Sequence, residues 1–143
     1  MTQRILLVDD ELTIRLTLEA ILELNGYEVV TAASSAEAKL RLAAEAYDLV
    51  ITDLKMEHEK AGLDVVRFAK EQSYRPAVAI LTAYPDFGDD WKELGAESLL
   101  IKPTNTPELL ECIEALLARQ TDHKRDGTKK TSIAGKPPRT TAS

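Results

Sequence analysis

The residues of this chain best placed to do chemistry are three carboxylates, a hydroxyl and an ammonium. Each stands directly after a short apolar run. Asp9 and Asp10 follow Arg4-Ile-Leu-Leu-Val8, Asp53 follows Asp48-Leu-Val-Ile-Thr52, Thr82 follows Ala77-Val-Ala-Ile-Leu81, and Lys102-Pro103 follows Ser98-Leu-Leu-Ile101. If the runs are parallel strands of one sheet, the five groups meet at a common edge. Two carboxylates 4 Å apart repel by about 4 kcal/mol at an effective dielectric near 20. A cluster of three therefore calls for a cation. Oxygen ligands at high charge density suit Mg²⁺, which keeps several waters and prefers one or two carboxylates plus a phosphate. Lys102 adds a fixed positive charge and Thr82 a donor hydroxyl. Such a site suits placing a phosphoryl group on a carboxylate, a transfer that depends on positioning and charge neutralisation. Singly, each residue has a plainer use: Asp9-Asp10-Glu11 as a helix cap, Thr82 as a turn residue, Lys102-Pro103 as a common dipeptide. The joint pattern is more specific than any part.

The elements that must position these groups alternate in period. The apolar runs named above, together with Val29-Val30, read as five buried strands. Between them the spacing turns helical. Ile14, Leu18, Ile21 and Leu22 recur at three and four before the stop at Gly26. Ser34-Ser-Ala-Glu37 has a capping-box pattern and opens a second helix, with Ala36, Leu40 and Ala43 read as its inner face. Leu63 to Glu71 reads as a third. Thr106-Pro107 opens a last helix through Ala118. The segment from Ala83 to Gly95 is the poorest helix former, with Pro85 and Gly88 at its start and about two turns expected near Asp89 to Leu94. Strands alternating with helices predict an α/β fold: a five-stranded parallel sheet covered on both faces. In such sheets sites form beyond the carboxyl ends of the strands.

The formal net charge of −6 is unevenly spread. Residues 1–118 carry 11 Lys/Arg against 22 Asp/Glu, whereas residues 119–143 carry 7 against 2. The acidic body disfavours nucleic-acid binding, because phosphates are repelled. Residues 119–143 lack apolar periodicity and are expected to form a disordered basic tail. One cysteine, Cys112, rules out an internal disulfide, and no Cys/His cluster suggests zinc. Cys112, Trp91, His58 and His123 read as packing or solvated groups. There is no apolar run long enough to span a bilayer and no secretory signal at Met1 to Val8, so a cytoplasmic protein is expected.

With Leu7-Val-Asp-Asp-Glu11, Leu49-Val-Ile-Thr-Asp-Leu-Lys-Met56, Ala79-Ile-Leu-Thr-Ala83, Gly95-Ala96 and Ile101-Lys-Pro103, the chain resembles the receiver domain of bacterial two-component response regulators over about residues 3–118. The resemblance implies a flavodoxin-like (βα)5 domain, residues 1–118. It implies that Asp53 accepts a phosphoryl group from a phosphohistidine on a sensor histidine kinase or a histidine phosphotransfer protein. It further implies Mg²⁺ held by Asp10, Asp53 and the backbone carbonyl of Lys55, with Asp9 reaching it through water. Lys102 would pair with the phosphoryl group, Thr82 would move to hydrogen-bond it, Ala83 would leave room beside it, and Pro103 would follow a cis peptide bond. Phosphorylation adds nearly two negative charges at Asp53 and biases a two-state element.

The chain departs from the family pattern at four points. Glu57 rather than Pro follows Met56, and the loop from Asp53 to Gly62 is one residue longer than the common form. Leu99 replaces an aromatic, and the stretch from Thr82 to Lys102 is about two residues shorter and contains Pro85. Leu99 has no hydroxyl handle for an aromatic switch, so output is expected to couple through Tyr84 or the short helix near it. The resemblance implies that the residues at Tyr84 and Lys55 flank the path of attacking water, and a bulky Tyr84 then predicts slow self-dephosphorylation. With residues 119–143 too short of apolar periodicity for a helix-turn-helix or catalytic output domain, a stand-alone receiver is expected, not an enzyme. Its output would run through a downstream protein partner or onward phosphoryl relay, with homodimer formation left open. Two alternatives compete: an interaction module that works without phosphorylation, and a Mg²⁺-dependent aspartyl phosphohydrolase. The second wants an acid two residues beyond Asp53, where this chain has Lys55.

Overall fold

The computed structural model describes residues 2–54, 56, 61–82, 95–101 and 106–132. Five strands form one sheet: β1 (Arg4–Val8), β2 (Glu28–Ala32), β3 (Leu49–Thr52), β4 (Ala77–Thr82) and β5 (Ser98–Ile101). The described helices are α1 (Leu12–Leu24), α2 (Ser35–Ala44), α3 (Ala61–Lys70) and α4 (Thr106–Ser132). The expected helix near Asp89 to Leu94 lies outside the described residues. All four strand pairings are parallel, in the order β2-β1-β3-β4-β5. The expected five-stranded parallel α/β architecture is what the chain adopts.

The strands pair in parallel because both faces can be buried. Within β1, Leu6 and Val8 face one way and Ile5 and Leu7 the other, all at most 1% exposed. The first face packs on Ala38 and Leu42 of α2 and on Leu63, Val65, Val66 and Ala69 of α3. The second packs on Leu18 and Leu22 of α1 and on Leu109, Ile113, Leu116 and Leu117 of α4. Two buried layers therefore sandwich the sheet. Since β1 is flanked by β2 and β3, the chain leaves β1 and β3 toward opposite faces, which opens a crevice between their carboxyl ends.

The helix boundaries follow local chemistry. α1 ends at Asn25 and Gly26, whose φ of +92° is a left-handed conformation that glycine adopts without strain. Ser34 caps α2 by accepting from Glu37 N–H at 3.1 Å, and Glu37 Oε1 accepts from Ala33 N–H at 2.8 Å. The inner face of α2 differs from the expected one. Ser35, Ala38 and Leu42 are buried, while Ala36, Leu40 and Ala43 face outward, with Leu40 72% exposed. The segment is rich in alanine, and both stripes have helical spacing. Packing of Ala38 and Leu42 against the sheet and α3 selects the stripe that includes Ser35.

A second correction concerns the end of the last helix. Expected to stop at Ala118, α4 runs on to Ser132, through the first half of the segment read as a structureless tail. Residues 119–132 contain no proline, and Gly127 is the poorest former among several weak ones such as Thr and Asp. Lys, Arg and Gln carry good helix propensity, so nothing local ends a helix already started on the core. Among the described residues, no helix is long and apolar enough to cross a membrane.

Candidate phosphoryl-acceptor and cation site

The carboxyl ends of β1 and β3 bring three acids together. Register pairs Val8 with Thr52, and Asp53 N–H donates to the Val8 carbonyl at 2.8 Å. Asp9 and Asp53 are thus neighbours at the crevice. Carboxylate oxygens of Asp9, Asp10 and Asp53 all lie within 4.8 Å of one another. Asp9 and Asp53 are 1% and 6% exposed, whereas Asp10 is exposed. Two unit charges 4.8 Å apart repel by about 3.5 kcal/mol at an effective dielectric near 20. Buried charges of one sign persist only with compensation. All the donors are hard carboxylate oxygens, some buried and one open to solvent. This set fits a divalent ion that retains part of its water, as Mg²⁺ does.

Backbone donors aim the carboxylates. Leu54 N–H donates to Asp53 Oδ1 at 2.7 Å, and Glu11 N–H donates to Asp9 Oδ1 at 2.9 Å. That second bond closes a turn just ahead of α1 rather than capping the helix, because it engages the N–H of the N-cap residue Glu11 itself. Glu11, at the N-cap of α1, makes no side-chain cap bond of its own. The Thr52 hydroxyl donates to the Asp53 carbonyl at 2.8 Å, and Asp9 N–H to the Ala32 carbonyl at 3.1 Å. The acid cluster is thus built on ladder ends rather than on a loose loop.

Thr82 ends β4, the strand beside β3, and is fully buried opposite Ile101. It shares the edge with Asp53, as its place after an apolar run predicts. Leu99 is half-buried on β5, packed on the side of the sheet that α2 and α3 cover. Lys55, Ala83, Tyr84, Lys102 and Pro103 lie outside the described residues, as do His58 and Trp91. Cys112 is half-buried against the α1/α4 layer, its sulfur 3.4 Å from the Ser98 hydroxyl, in keeping with a packing role.

One site residue escaped the sequence reading. Gly62, at the start of α3, donates its N–H to the Leu54 carbonyl at 2.8 Å. A Cβ there would sit 2.7 Å from Leu54 Cα and 2.9 Å from the Asp53 carbonyl carbon, and closer still to the Asp53 carbonyl oxygen. The helix presses on the backbone of the acid itself, and only glycine allows it. A glycine just ahead of the helical pattern at Leu63, nine residues past a strand-end acid, was the available signal.

The chain matches the profile of the response regulator receiver domain over residues 5–114. It is 40% identical over 119 residues to the probable transcriptional regulator ycf27 of Cyanophora paradoxa, covering 82% of this chain and 49% of that protein. It is 38% identical over 120 residues to the alginate biosynthesis transcriptional regulatory protein AlgB of Pseudomonas aeruginosa, covering 82% of this chain and 26% of that one. Among solved structures it resembles the response regulator TrrA of Thermotoga maritima in complex with Mg²⁺ and BeF: TM-score 0.73, 35% identity, 80% of this chain and 99% of that one. The chain belongs to the response regulator receiver domain family, a signalling domain of two-component phosphorelays. It spans half or less of the curated relatives it matches.

Proposed function

We propose that Asp53 accepts a phosphoryl group from a phosphohistidine and that Asp9, Asp10 and Asp53 hold the Mg²⁺ the transfer needs. The observation that carries this reading is the convergence of the three carboxylates, two of them buried, at the β1/β3 crevice. When bound, the ion offsets the repulsion among the acids and draws phosphoryl oxygens toward them. The protein's own part is positional. Leu54 N–H fixes the Asp53 carboxylate plane, and the carboxylate attacks phosphorus as the bond from phosphorus to the donor nitrogen breaks. Low exposure of Asp53 limits the approach of bulk water.

The phosphorylated side chain brings close to two negative charges to a site already crowded with acids. Thr82 supplies a hydroxyl at the same edge and Lys102 an ammonium after β5, and their movement toward the phosphoryl group is the switch. On the same reading Lys55 contributes its carbonyl to the ion, Ala83 leaves room beside the phosphoryl group, and Pro103 follows a cis peptide bond. The upstream partner is a sensor histidine kinase or histidine phosphotransfer protein, in the cytoplasm. The downstream partner is a protein that reads the altered surface. On this reading the domain assists its own modification and is not otherwise an enzyme. The signalling unit spans residues 1–118, and residues 119–143 form a basic extension beyond it.

The test is incubation with acetyl phosphate and MgCl₂, read by intact mass. Wild type should gain one phosphoryl group and Asp53→Ala none. Wild type that stays unmodified, or an Asp53→Ala variant that gains the same mass, overturns the assignment.

A further inference from the structure

We propose that Arg15 is a positioning residue for the cation site. By binding the carbonyl just beyond β1, it sets the peptide that joins Asp9 to Asp10. The inference rests on the reading above, because it concerns how that site is held in shape.

Arg15 lies in the first turn of α1, where its own N–H makes the ordinary helical bond to the Glu11 carbonyl at 3.0 Å. Its side chain is half-buried and turns back toward the sheet, where Nη1 donates to the Asp9 carbonyl at 2.8 Å. That oxygen belongs to the peptide unit between the two acids. A peptide unit is planar, so fixing its oxygen also fixes the direction in which the Asp10 Cα leaves it. Asp9 is also held through its N–H to Ala32 and its Oδ1 from Glu11. Asp10 differs: among the described residues no hydrogen bond reaches its side chain, which is exposed. Its place in the cluster therefore depends on the peptide before it. The bond that sets that peptide is charge-assisted, and so stronger than a neutral one.

The guanidinium also brings a positive charge close to a cation site. Charge alone would weaken Mg²⁺ binding, while positioning strengthens it. The two effects have opposite signs on removal of Arg15, and this makes the role measurable.

The experiment is calorimetric titration of MgCl₂ into the full chain at fixed ionic strength, on wild type, Arg15→Met and Arg15→Lys. Thermal unfolding in EDTA checks that each variant is folded. Arg15→Met keeps the apolar stem and loses donor and charge; its Kd for Mg²⁺ should rise about tenfold or more, the usual cost of losing a group that orients a metal ligand. Arg15→Lys restores a charged donor and should bind Mg²⁺ more tightly than Arg15→Met. Arg15→Gln replaces the Met variant if that one does not fold, with the same expectation. An unchanged or lower Kd in the neutral variant overturns the positioning role while the site stands. Wild type that binds no Mg²⁺ overturns the site itself, and the inference with it.

Discussion

Replacing Gly62 with alanine is the sharpest perturbation available to this site, because it adds one methyl group against the backbone of the acceptor. Carbon atoms in contact sit about 3.5–4.0 Å apart. The new Cβ would lie 2.7 Å from Leu54 Cα and 2.9 Å from the Asp53 carbonyl carbon. Either the first turn of α3 or the Asp53–Leu54 peptide must yield by close to an ångström, and neither is a flexible side chain. Overpacking of this kind costs about 1–3 kcal/mol. The 2.8 Å bond from Gly62 N–H to the Leu54 carbonyl is buried, and breaking it adds about 1–3 kcal/mol. A loss of about 3 kcal/mol is a large share of the roughly 5–15 kcal/mol typical of a domain, so the variant should fold but melt well below wild type. Its Kd for Mg²⁺ should rise and its phosphorylation by acetyl phosphate should slow, since Asp53 moves with its carbonyl. Urea unfolding gives the stability, and calorimetry and intact mass give the rest. Gly26→Ala is the control. Nothing lies within 4 Å of a Cβ there, but its φ of +92° is unfavourable for alanine. That variant should lose about 1–2 kcal/mol with Mg²⁺ affinity intact. A Gly62→Ala protein within about 0.5 kcal/mol of wild type, with unaltered Mg²⁺ affinity, would refute the steric argument.

Four further outcomes are expected. Leu42→Ala should cost about 2–5 kcal/mol in urea unfolding, while Leu40→Ala should change stability by less than about 0.5 kcal/mol, because only Leu42 is buried. Asp10→Ala should weaken Mg²⁺ binding without unfolding the chain, since Asp10 is exposed, and calorimetry paired with thermal unfolding separates the two effects. The Tyr74 phenol is pushed up to about 12 by burial and, secondarily, by the neighbouring Tyr47; its O–H donates to the Leu42 carbonyl at 2.9 Å. Below pH 10 both folded and unfolded chains keep that proton. Between pH 10 and about 12 only the folded chain does, so stability should fall through that window, and less steeply in Tyr74→Phe when unfolding is followed against pH. Tyr84→Ala should speed decay of the phosphorylated form as followed by mass, and an unchanged rate would remove Tyr84 from the water path.

The sequence alone determined the strands, the parallel α/β class and the carboxylates at the strand ends. Short apolar runs buried on both faces carry that signal locally, and acids that directly follow such runs have few other places to go. It also marked the cap at Ser34 and the stop at Gly26, because caps are chemistry between near neighbours in the chain. Tertiary structure decided what depends on packing. Of two helical stripes in α2, packing against the sheet and α3 buried the one with Ala38 and Leu42, although it carries Ser35 and is the less apolar. The end of α4 was misplaced because loss of apolar periodicity removes contact with the core but does not itself break a helix. Gly62 and Arg15 acquired meaning only once α3 and α1 were set against the ends of β3 and β1. Their effects act on backbone atoms, across distances that spacing along the chain does not encode.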